Sequence, residues 1–236
     1  MKINVKLAKT LSYDSSKRRS LKDIKYIVIH YTGNNNDSAS GNANYFATSN
    51  TRQAGAHFFV DKKGIVFKSV NMNRTAWSVG GFYDNRNGAG SYYEKCTNYN
   101  SVSIELCDCV KGSNSLQMES TRQLVKYIRR HCPNADTIIR HWDVNGKDCP
   151  LPMIGKNNVM WKHFKKYIVH GYQFKAKVIK DAHIRTKGNI SGKTLRIAKK
   201  GEILKIKKVS SGWGYLGKNS NGDNRWVSMK KVKELE

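Results

Sequence analysis

The chain has 236 residues, and its 43 Lys and Arg against 17 Asp and Glu give a formal net charge of +26 at pH 7. A hydrophobic fraction of 39% is enough for real cores, only three Pro argue against long disordered tails, and the length allows two modest domains. Charge of this size predicts attraction to a polyanion, which limits the partners to nucleic acid, an anionic membrane surface or an acidic cell wall.

The N-terminus and the cysteines indicate where the protein is made. Residues 1–20 contain no continuous apolar segment, and no stretch approaches the roughly 18 apolar residues of a membrane span. The five Cys are an odd set without the spacing of a disulfide scaffold. We therefore expect a protein made in the cytoplasm without a signal peptide, with reduced thiols and no membrane insertion.

The first part of the chain alternates predicted strands and helices. Residues 25–32 are apolar and β-branched nearly throughout, which predicts a strand covered on both faces. Residues 38–47 carry small and aromatic side chains at helical spacing. Residues 57–60 and 65–70 flank a four-residue turn that ends in Gly64, which predicts a β-hairpin.

A long loop separates these elements from the next strand and helix. Residues 77–100 are rich in Gly, Asn, Tyr and Ser without a period, which predicts a loop that can contact a substrate. Residues 101–110 return to strand character. Residues 118–131 predict a helix, with Ser120 and Thr121 as candidate caps.

The last elements divide the chain into two predicted domains. A short strand over 137–140 and a helix over 159–168 complete an α/β pattern, which predicts a mixed central β-sheet flanked by helices. After Gly171 the pattern changes to short alternating strands between Gly, Ser and Asn turns, which predicts a small all-β barrel. The predicted domains are 1–170 and 171–236, with net charges of +14 and +12.

Two histidines and a cysteine carry the strongest chemical signal. His30 lies at the end of the first predicted strand, and His141 and Cys149 stand eight residues apart. Two His and one Cys can bind Zn²⁺ and leave a fourth tetrahedral position for water, as in catalytic zinc sites. Zinc lowers the pKa of that water from about 15.7 to about 7. A purely structural role for these residues remains the alternative.

Six motifs carry a family resemblance. They are YIVIHYTGN (26–34), GNANYFA (41–47), AHFFVD (56–61), AWSVGG (76–81), NSVSIELC (100–107) and RHWDVNGKDCP (140–150). Through them the chain resembles the type 2 amidases, zinc enzymes of phage and bacteria that share a fold with the peptidoglycan-recognition proteins. The resemblance implies zinc ligands at His30, His141 and Cys149. It also implies cleavage, by zinc-activated water, of the amide between N-acetylmuramic acid and L-Ala in peptidoglycan.

The resemblance also marks Glu105 and Lys147 as catalytic. Glu105 is implied to take a proton from water and to pass it to the leaving amine, and an unpaired carboxylate in an apolar strand is costly without such a use. Lys147, two residues before Cys149, is implied to stabilise the oxyanion. The structural alternative for Glu105 is a surface residue on an edge strand. The alternative for Lys147 is an ordinary surface lysine of a basic chain.

The sequence departs from this family at two positions. Ala56 stands where some members have Tyr, which weakens the case for a Tyr-assisted mechanism, and Ser78 stands where many members have His. We expect His57 to be a core residue or to support a ligand without binding metal. Asp143 either orients His141 by a hydrogen bond or caps its loop.

The remaining cysteines have a simpler interpretation. Cys96 and Cys132 lack the CxxC spacing of a structural zinc site, and Cys107 and Cys109 are predicted to lie on one face of a strand. All four are expected to be buried free thiols.

Candidate contacts with substrate and wall lie in both predicted domains. Substrate contacts in the first are Trp77, Asn100 and Asp143. The second resembles a bacterial SH3-like domain through HIRTKGNISGKTLRIAKKGEILKI, GWGYLGK and RWVS. Its aromatic residues are either wall contacts or barrel core, and they are Tyr172, Trp213, Tyr215 and Trp226.

We therefore predict an endolysin of the phage type with an SH3-like wall-binding domain, which acts on the cell wall after release from the bacterial host cytoplasm. Its positive charge favours a Gram-positive wall with anionic polymers. A recognition module that binds peptidoglycan without cutting is one rival, and the intact zinc set with Glu105 argues against it. A nucleic-acid-binding protein is the second, and no helix-turn-helix, RNP or zinc-finger spacing supports it.

Overall fold

The computed structural model describes two compact units, Met1–Val169 and His170–Glu236. The residues described are 1–80, 90–171, 174–210 and 212–235. Across this part of the chain, every helix is too short or too polar to cross a lipid bilayer.

The first unit combines strands and helices. Its strands are β1 (Asn4–Val5), β2 (Tyr13–Asp14), β3 (Tyr26–Tyr31), β4 (Phe58–Val60), β5 (Val66–Lys68), β6 (Thr75–Ala76), β7 (Ser101–Leu106) and β8 (Thr137–Arg140). Its helices are α1 (Ala39–Thr48), α2 (Ser115–His131), α3 (His141–Asn145) and α4 (Val159–His170).

Six of these strands form a mixed central sheet in the order β1-β5-β4-β7-β3-β8. The neighbouring strands β4, β7, β3 and β8 are parallel, whereas β5 runs antiparallel to β4. This arrangement confirms the predicted α/β class. Because parallel strands end at the same edge of a sheet, the residues after β3, β7 and β8 meet there.

Strand β3 lies between β7 and β8, which explains its continuous apolar sequence. Ile27, Val28 and Ile29 are all 0% exposed, so both faces of the strand are covered. The helix predicted over 118–131 is also confirmed as α2, and its Leu124 and Ile128 are fully buried in the core.

The first helix and the hairpin form as predicted. Helix α1 begins after Ser38, whose side chain accepts a hydrogen bond from the Gly41 amide at 3.1 Å. Strands β4 and β5 pair antiparallel around a turn in which Gly64 has a φ of +78°. A side chain at Gly64 would meet the hydroxyl of Ser120 at 2.8 Å, so the turn requires glycine for both reasons.

The predicted caps of α2 are wrong. The helix starts earlier, at Ser115, and Asn114 caps it by accepting a hydrogen bond from the Gln117 amide at 2.9 Å. The Ser120 hydroxyl instead donates to the Gly64 carbonyl, and the Thr121 hydroxyl donates to a carbonyl one turn earlier in the helix. Ser120 therefore links the helix to the hairpin, whereas Thr121 bonds within the helix.

The predicted placement of Cys107 and Cys109 on one face of a strand is also wrong. Strand β7 ends at Leu106, because Asp108 adopts a φ of +51° and its amide bonds to the carboxylate of Asp37. The two thiols lie in this turn and are fully buried. The prediction of buried free thiols is confirmed for both, and likewise for Cys96 and Cys132.

The second unit consists of two antiparallel sheets around one apolar core. Its strands are β9 (Phe174–Val178), β10 (Ala182–Arg185), β11 (Thr194–Ala198), β12 (Ile203–Ile206), β13 (Lys208–Ser210), β14 (Trp213–Lys218), β15 (Asn224–Ser228) and β16 (Val232–Glu234). Most side chains of β11 are exposed, so the alternation of buried and exposed residues that marks the other strands is weak there.

Candidate functional site

The parallel strands bring the predicted chemical residues to one edge of the central sheet. His30 is the fifth residue of β3 and lies directly opposite Glu105 on β7. His141 follows β8 immediately, as the first residue of α3. Cys149 follows α3 in a loop that is tied back by a 2.8 Å hydrogen bond from the Trp142 amide to the Cys149 carbonyl.

Potential ligand atoms of His30, His141 and Cys149 all lie within 4.8 Å of one another. The Nδ1 atom of His30 is 3.7 Å from the Sγ atom of Cys149, and the two imidazole rings are 4.6 Å apart between centroids. All three residues are buried, with 4% or less of their surface exposed. The geometry therefore suits a metal ion held by two nitrogens and one sulfur.

The protonation of the two histidines also suits a metal. Burial lowers the pKa of His141 to about 3, with a further contribution from Lys147. Burial, with the neighbouring His141 and Lys147, likewise lowers the pKa of His30 well below its usual value. Both rings are therefore neutral at neutral pH, which is the form that binds metal ions.

Hydrogen bonding defines which nitrogen of His141 is free. Its Nε2 lies 3.2 Å from the carbonyl of Val79, and since a carbonyl can only accept, Nε2 carries the proton. The lone pair is then on Nδ1, which is buried without a hydrogen-bond partner among the described residues. Burial and the nearby Glu105 raise the pKa of the Cys149 thiol, so its thiolate requires a neighbouring cation.

Glu105 is the acid beside this cluster. Burial raises the pKa of its carboxyl to about 7, although Lys147 opposes the shift. Its Oε2 atom is buried and has no hydrogen-bond partner among the described residues. A carboxyl with this pKa exchanges protons readily near neutral pH, as a general base requires.

A cavity of about 670 Å³ opens over the cluster. Glu105 and Lys147 line it together with the three potential ligands. Lys147 is exposed, and its positive charge acts on His30, His141, Glu105 and Cys149. The cavity can therefore admit a substrate to the group that would bind metal, to a proton acceptor and to a cation.

The predicted substrate contacts lie in different places. Trp77 lines the cavity. Asn100 precedes β7 at the opposite edge of the sheet, where its side chain accepts from the Thr97 amide and donates to the Lys95 carbonyl. Its role is therefore to close a turn. A direct contact between Asn100 and a substrate in the cavity is not supported by this position.

Asp143 has one clear structural role. Its carboxylate accepts a hydrogen bond from the Arg140 amide at 2.8 Å and pairs with the Arg140 guanidinium at 2.7 Å. Of the two roles considered for Asp143, the structure shows the cap at the start of α3. Asp143 does not line the cavity over the ligand cluster.

Comparison with known proteins identifies the family. The family described as N-acetylmuramoyl-L-alanine amidase matches residues 20–152, which is more than half of the chain. The chain belongs to this family. The match includes all three potential metal ligands together with Glu105 and Lys147.

Two curated members of the amidase family show the extent of the similarity. The chain is 26% identical over 154 residues to the N-acetylmuramoyl-L-alanine amidase CwlL of Bacillus licheniformis, and 27% identical over 157 residues to BlyA of Bacillus subtilis (strain 168). These matches cover 62% and 63% of this chain. The chain spans only 41% and 42% of the length of the two relatives.

Solved structures show the same fold. PlyL superposes with a TM-score of 0.56 at 24% identity, covering 73% of this chain and 99% of PlyL. The catalytic domain of XlyA superposes with a TM-score of 0.54 at 22% identity, covering 71% of this chain and 99% of that domain. The mixed sheet flanked by helices is therefore the fold of these proteins.

The two departures from the amidase motifs and the neighbouring His57 can now be placed. Ala56 is buried in the apolar cluster that contains Phe59, and Ser78 lines the cavity. His57 is fully buried; its Nε2 lies 2.9 Å from the guanidinium of Arg19 and its Nδ1 lies 3.0 Å from the hydroxyl of Ser103. His57 therefore belongs to a buried polar network, as expected, and lies outside the metal-ligand cluster.

Sequence reasoning missed the residues that hold His141. The side-chain oxygen of Asn98 accepts hydrogen bonds from the amides of Ser78 and Val79 at 2.9 and 2.8 Å. The carbonyl of Val79 then accepts from His141 and, at 3.4 Å, from Asn145. No sequence pattern signals these contacts, because Asn98 stands in a loop rich in Asn and Tyr and acts through the backbone.

Proposed function

We propose that this chain is a zinc-dependent N-acetylmuramoyl-L-alanine amidase of the endolysin type, which hydrolyses the amide between N-acetylmuramic acid and L-Ala in peptidoglycan. The observation that carries the proposal is the cluster of His30, His141 and Cys149 beside Glu105 in one open cavity. Membership of the amidase family supports the reaction class.

His30, His141 and Cys149 would hold the zinc ion. Two neutral imidazoles and a buried thiol are a donor set typical of zinc, and the unpartnered Nδ1 of His141 supports this assignment. When bound, zinc supplies a water with a pKa of about 7 and a positive charge that polarises a carbonyl.

Glu105 and Lys147 are the proposed proton-transfer and charge-stabilising residues. Glu105 accepts at Oε2 the proton of the attacking water and gives it to the leaving amide nitrogen, for which its raised pKa is suited. The ammonium of Lys147 stabilises the negative charge that develops on the carbonyl oxygen. Trp77, in the wall of the cavity, contacts the glycan or the peptide stem.

The proposal assigns residues 1–170 to catalysis and residues 171–236 to an SH3-like domain that binds the cell wall. Trp213, Tyr215 and Trp226 are the proposed wall contacts, whereas Tyr172 lies outside the described residues. The second domain carries a net charge of +12, which favours a Gram-positive wall with anionic polymers. Holding the enzyme on its polymeric substrate raises the local concentration of the catalytic domain.

The reaction can be tested on purified peptidoglycan. We expect the full chain to release new L-Ala amino termini and new lactyl carboxyl groups of N-acetylmuramic acid in equal number. Dansylation measures the amino termini, and mass spectrometry identifies the two products. A chelator should stop the release, and added zinc should restore it. Binding without release of amino termini would instead indicate a recognition module, and new reducing sugar ends would indicate a glycosidase.

Asn98 provides a separate test of the metal site. We expect Asn98→Ala to weaken zinc binding by about 10–100-fold, because the Ser78 and Val79 amides lose their acceptor and the Val79 carbonyl no longer holds His141. Asn98→Asp keeps an acceptor oxygen and should bind zinc nearly as well as the wild type. Competition with a chromogenic chelator measures the affinity; unchanged affinity in Asn98→Ala would contradict this role.

A further inference from the structure

A row of aromatic and basic side chains crosses four strands of the second unit. Lys208 on β13 lies opposite Tyr215 on β14, Tyr215 lies opposite Trp226 on β15, and Trp226 lies opposite Arg185 on β10. Residues directly opposite each other in antiparallel strands project from the same face of a sheet. We call these four residues the cationic–aromatic row.

The row faces away from the core of its unit. The neighbours of Tyr215 in β14, Gly214 and Leu216, are buried, and so is Val227 beside Trp226 in β15. Tyr215 and Trp226 themselves are only partly buried, and neither belongs to the core cluster of this unit. The two large rings therefore lie on the face opposite the core, and each keeps part of its surface accessible.

The members of the row contact one another closely. The Tyr215 and Trp226 rings are 4.9 Å apart between centroids, and the ammonium of Lys208 lies 5.1 and 5.4 Å from those two centroids. The hydroxyl of Tyr215 bonds to Asn224, and Arg185 donates one hydrogen bond to the Gly192 carbonyl. These contacts hold the rings and their cations in a defined arrangement before any ligand binds.

The charge around the row is almost entirely positive. Residues 170–236 contain 17 Lys and Arg but only five Asp and Glu. Among the described acidic side chains of this unit, Asp181 pairs with Lys199, Glu202 pairs with Arg196, and Asp223 bonds to Asn219. None of these partners belongs to the row, so its two cations keep their attraction for an anion.

We propose that the cationic–aromatic row binds a phosphodiester-linked glycopolymer of the bacterial wall. Aromatic faces stack on sugar or polyol units, and the basic groups pair with phosphates on either side. The backbone positions of Lys208 and Arg185 are separated by three strand spacings, or roughly 14 Å, so the row as a whole is longer than one small anion and suits an extended polymer. The inference rests on the proposed function, because that function brings the protein to the wall.

Purified walls of a Gram-positive bacterium provide the test. Binding of the full chain is measured by sedimentation, in a Glu105→Gln background so that the walls stay intact. We expect binding to fall about tenfold when hydrofluoric acid has removed the phosphodiester-linked polymers, and Trp226→Ala to cause a similar loss on untreated walls. Lys208→Ala should lose about fivefold. Lys205→Ala, the matched exposed lysine on β12, should lose less than twofold.

Several outcomes would overturn the inference. Equal binding to treated and untreated walls would assign the site to peptidoglycan itself. Wild-type binding by both Lys208→Ala and a Trp226→Ala variant that keeps its far-UV circular dichroism would exclude the row. Displacement from walls by a single-stranded oligodeoxynucleotide at lower concentration than by the released polymer would indicate nucleic acid as the ligand.

A soluble substrate separates this inference from the proposed function. The wild type and Lys208→Ala should cleave a small muramoyl peptide at the same rate, because that substrate does not need the wall. If the wild type cleaves the muramoyl peptide but the row variants bind walls as the wild type does, the inference about the row is wrong and the amidase proposal stands. No cleavage by the zinc-loaded wild type would overturn the amidase proposal itself.

Discussion

Replacing Cys149 with Ser is expected to abolish stable zinc binding and to lower the free energy of unfolding by about 2.7 kcal/mol when zinc is present at about 100 times its wild-type dissociation constant. The reason is that a ligand bound only by the folded state adds its binding free energy to folding. A serine hydroxyl is a poor zinc ligand compared with a thiolate. Zinc content by atomic emission and urea unfolding with and without zinc would measure both effects.

Cys132→Ser is the matched control for this variant. Cys132 is also a fully buried free thiol, but it lies beside Met72 and outside the metal-ligand cluster. Its replacement should cost the same stability with or without zinc, and zinc content should stay near one ion per chain. Full zinc occupancy in Cys149→Ser would show that Cys149 is not a zinc ligand.

Replacing Glu105 with Gln should lower the rate of hydrolysis by about 10²–10⁴-fold. The amide has nearly the same shape as the carboxyl but cannot accept the proton of the attacking water. Because the change lies beside the ligands and not among them, zinc content should be unchanged. Initial rates on a soluble muramoyl peptide would separate the loss in kcat from any change in KM.

Glu94→Gln provides the control for this change, since Glu94 is an exposed glutamate that does not line the cavity. It should hydrolyse the substrate at the wild-type rate. If Glu105→Gln retained more than a tenth of wild-type activity with a full complement of zinc, another group would have to move the proton.

Periodicity and residue type explain which parts of the fold could be predicted. The run 25–32 has the composition of a central strand, and a central strand of a parallel sheet must be covered on both faces. The end of β7 could not be predicted, because Cys107 and Cys109 continue its apolar pattern while the turn depends on a contact between Asp108 and the distant Asp37. The local sequence pattern does not indicate a contact between residues so far apart in the chain.

The same distinction applies to the site. His30 could be placed at a sheet edge from the sequence, because a polar residue ended an apolar strand. Asn98 could not be predicted as the support of His141, because its effect passes through two backbone amides and a carbonyl. Asn100 was predicted as a substrate contact because it lies in the same loop. It precedes β7, however, so it lies at the opposite end of that strand from Glu105.

The pairing of β3 with β7 fixes the positions of His30 and Glu105, whereas part of the cavity wall comes from segments between strands. Since His30 and Glu105 are directly paired on adjacent parallel strands, the main-chain hydrogen-bond ladder sets their separation, at a strand spacing of about 4.8 Å. Trp77 and Arg52, by contrast, reach the cavity from connecting segments. Those segments can therefore change, and the proposed substrate preference with them, while the main-chain pairing keeps the spacing of His30 and Glu105.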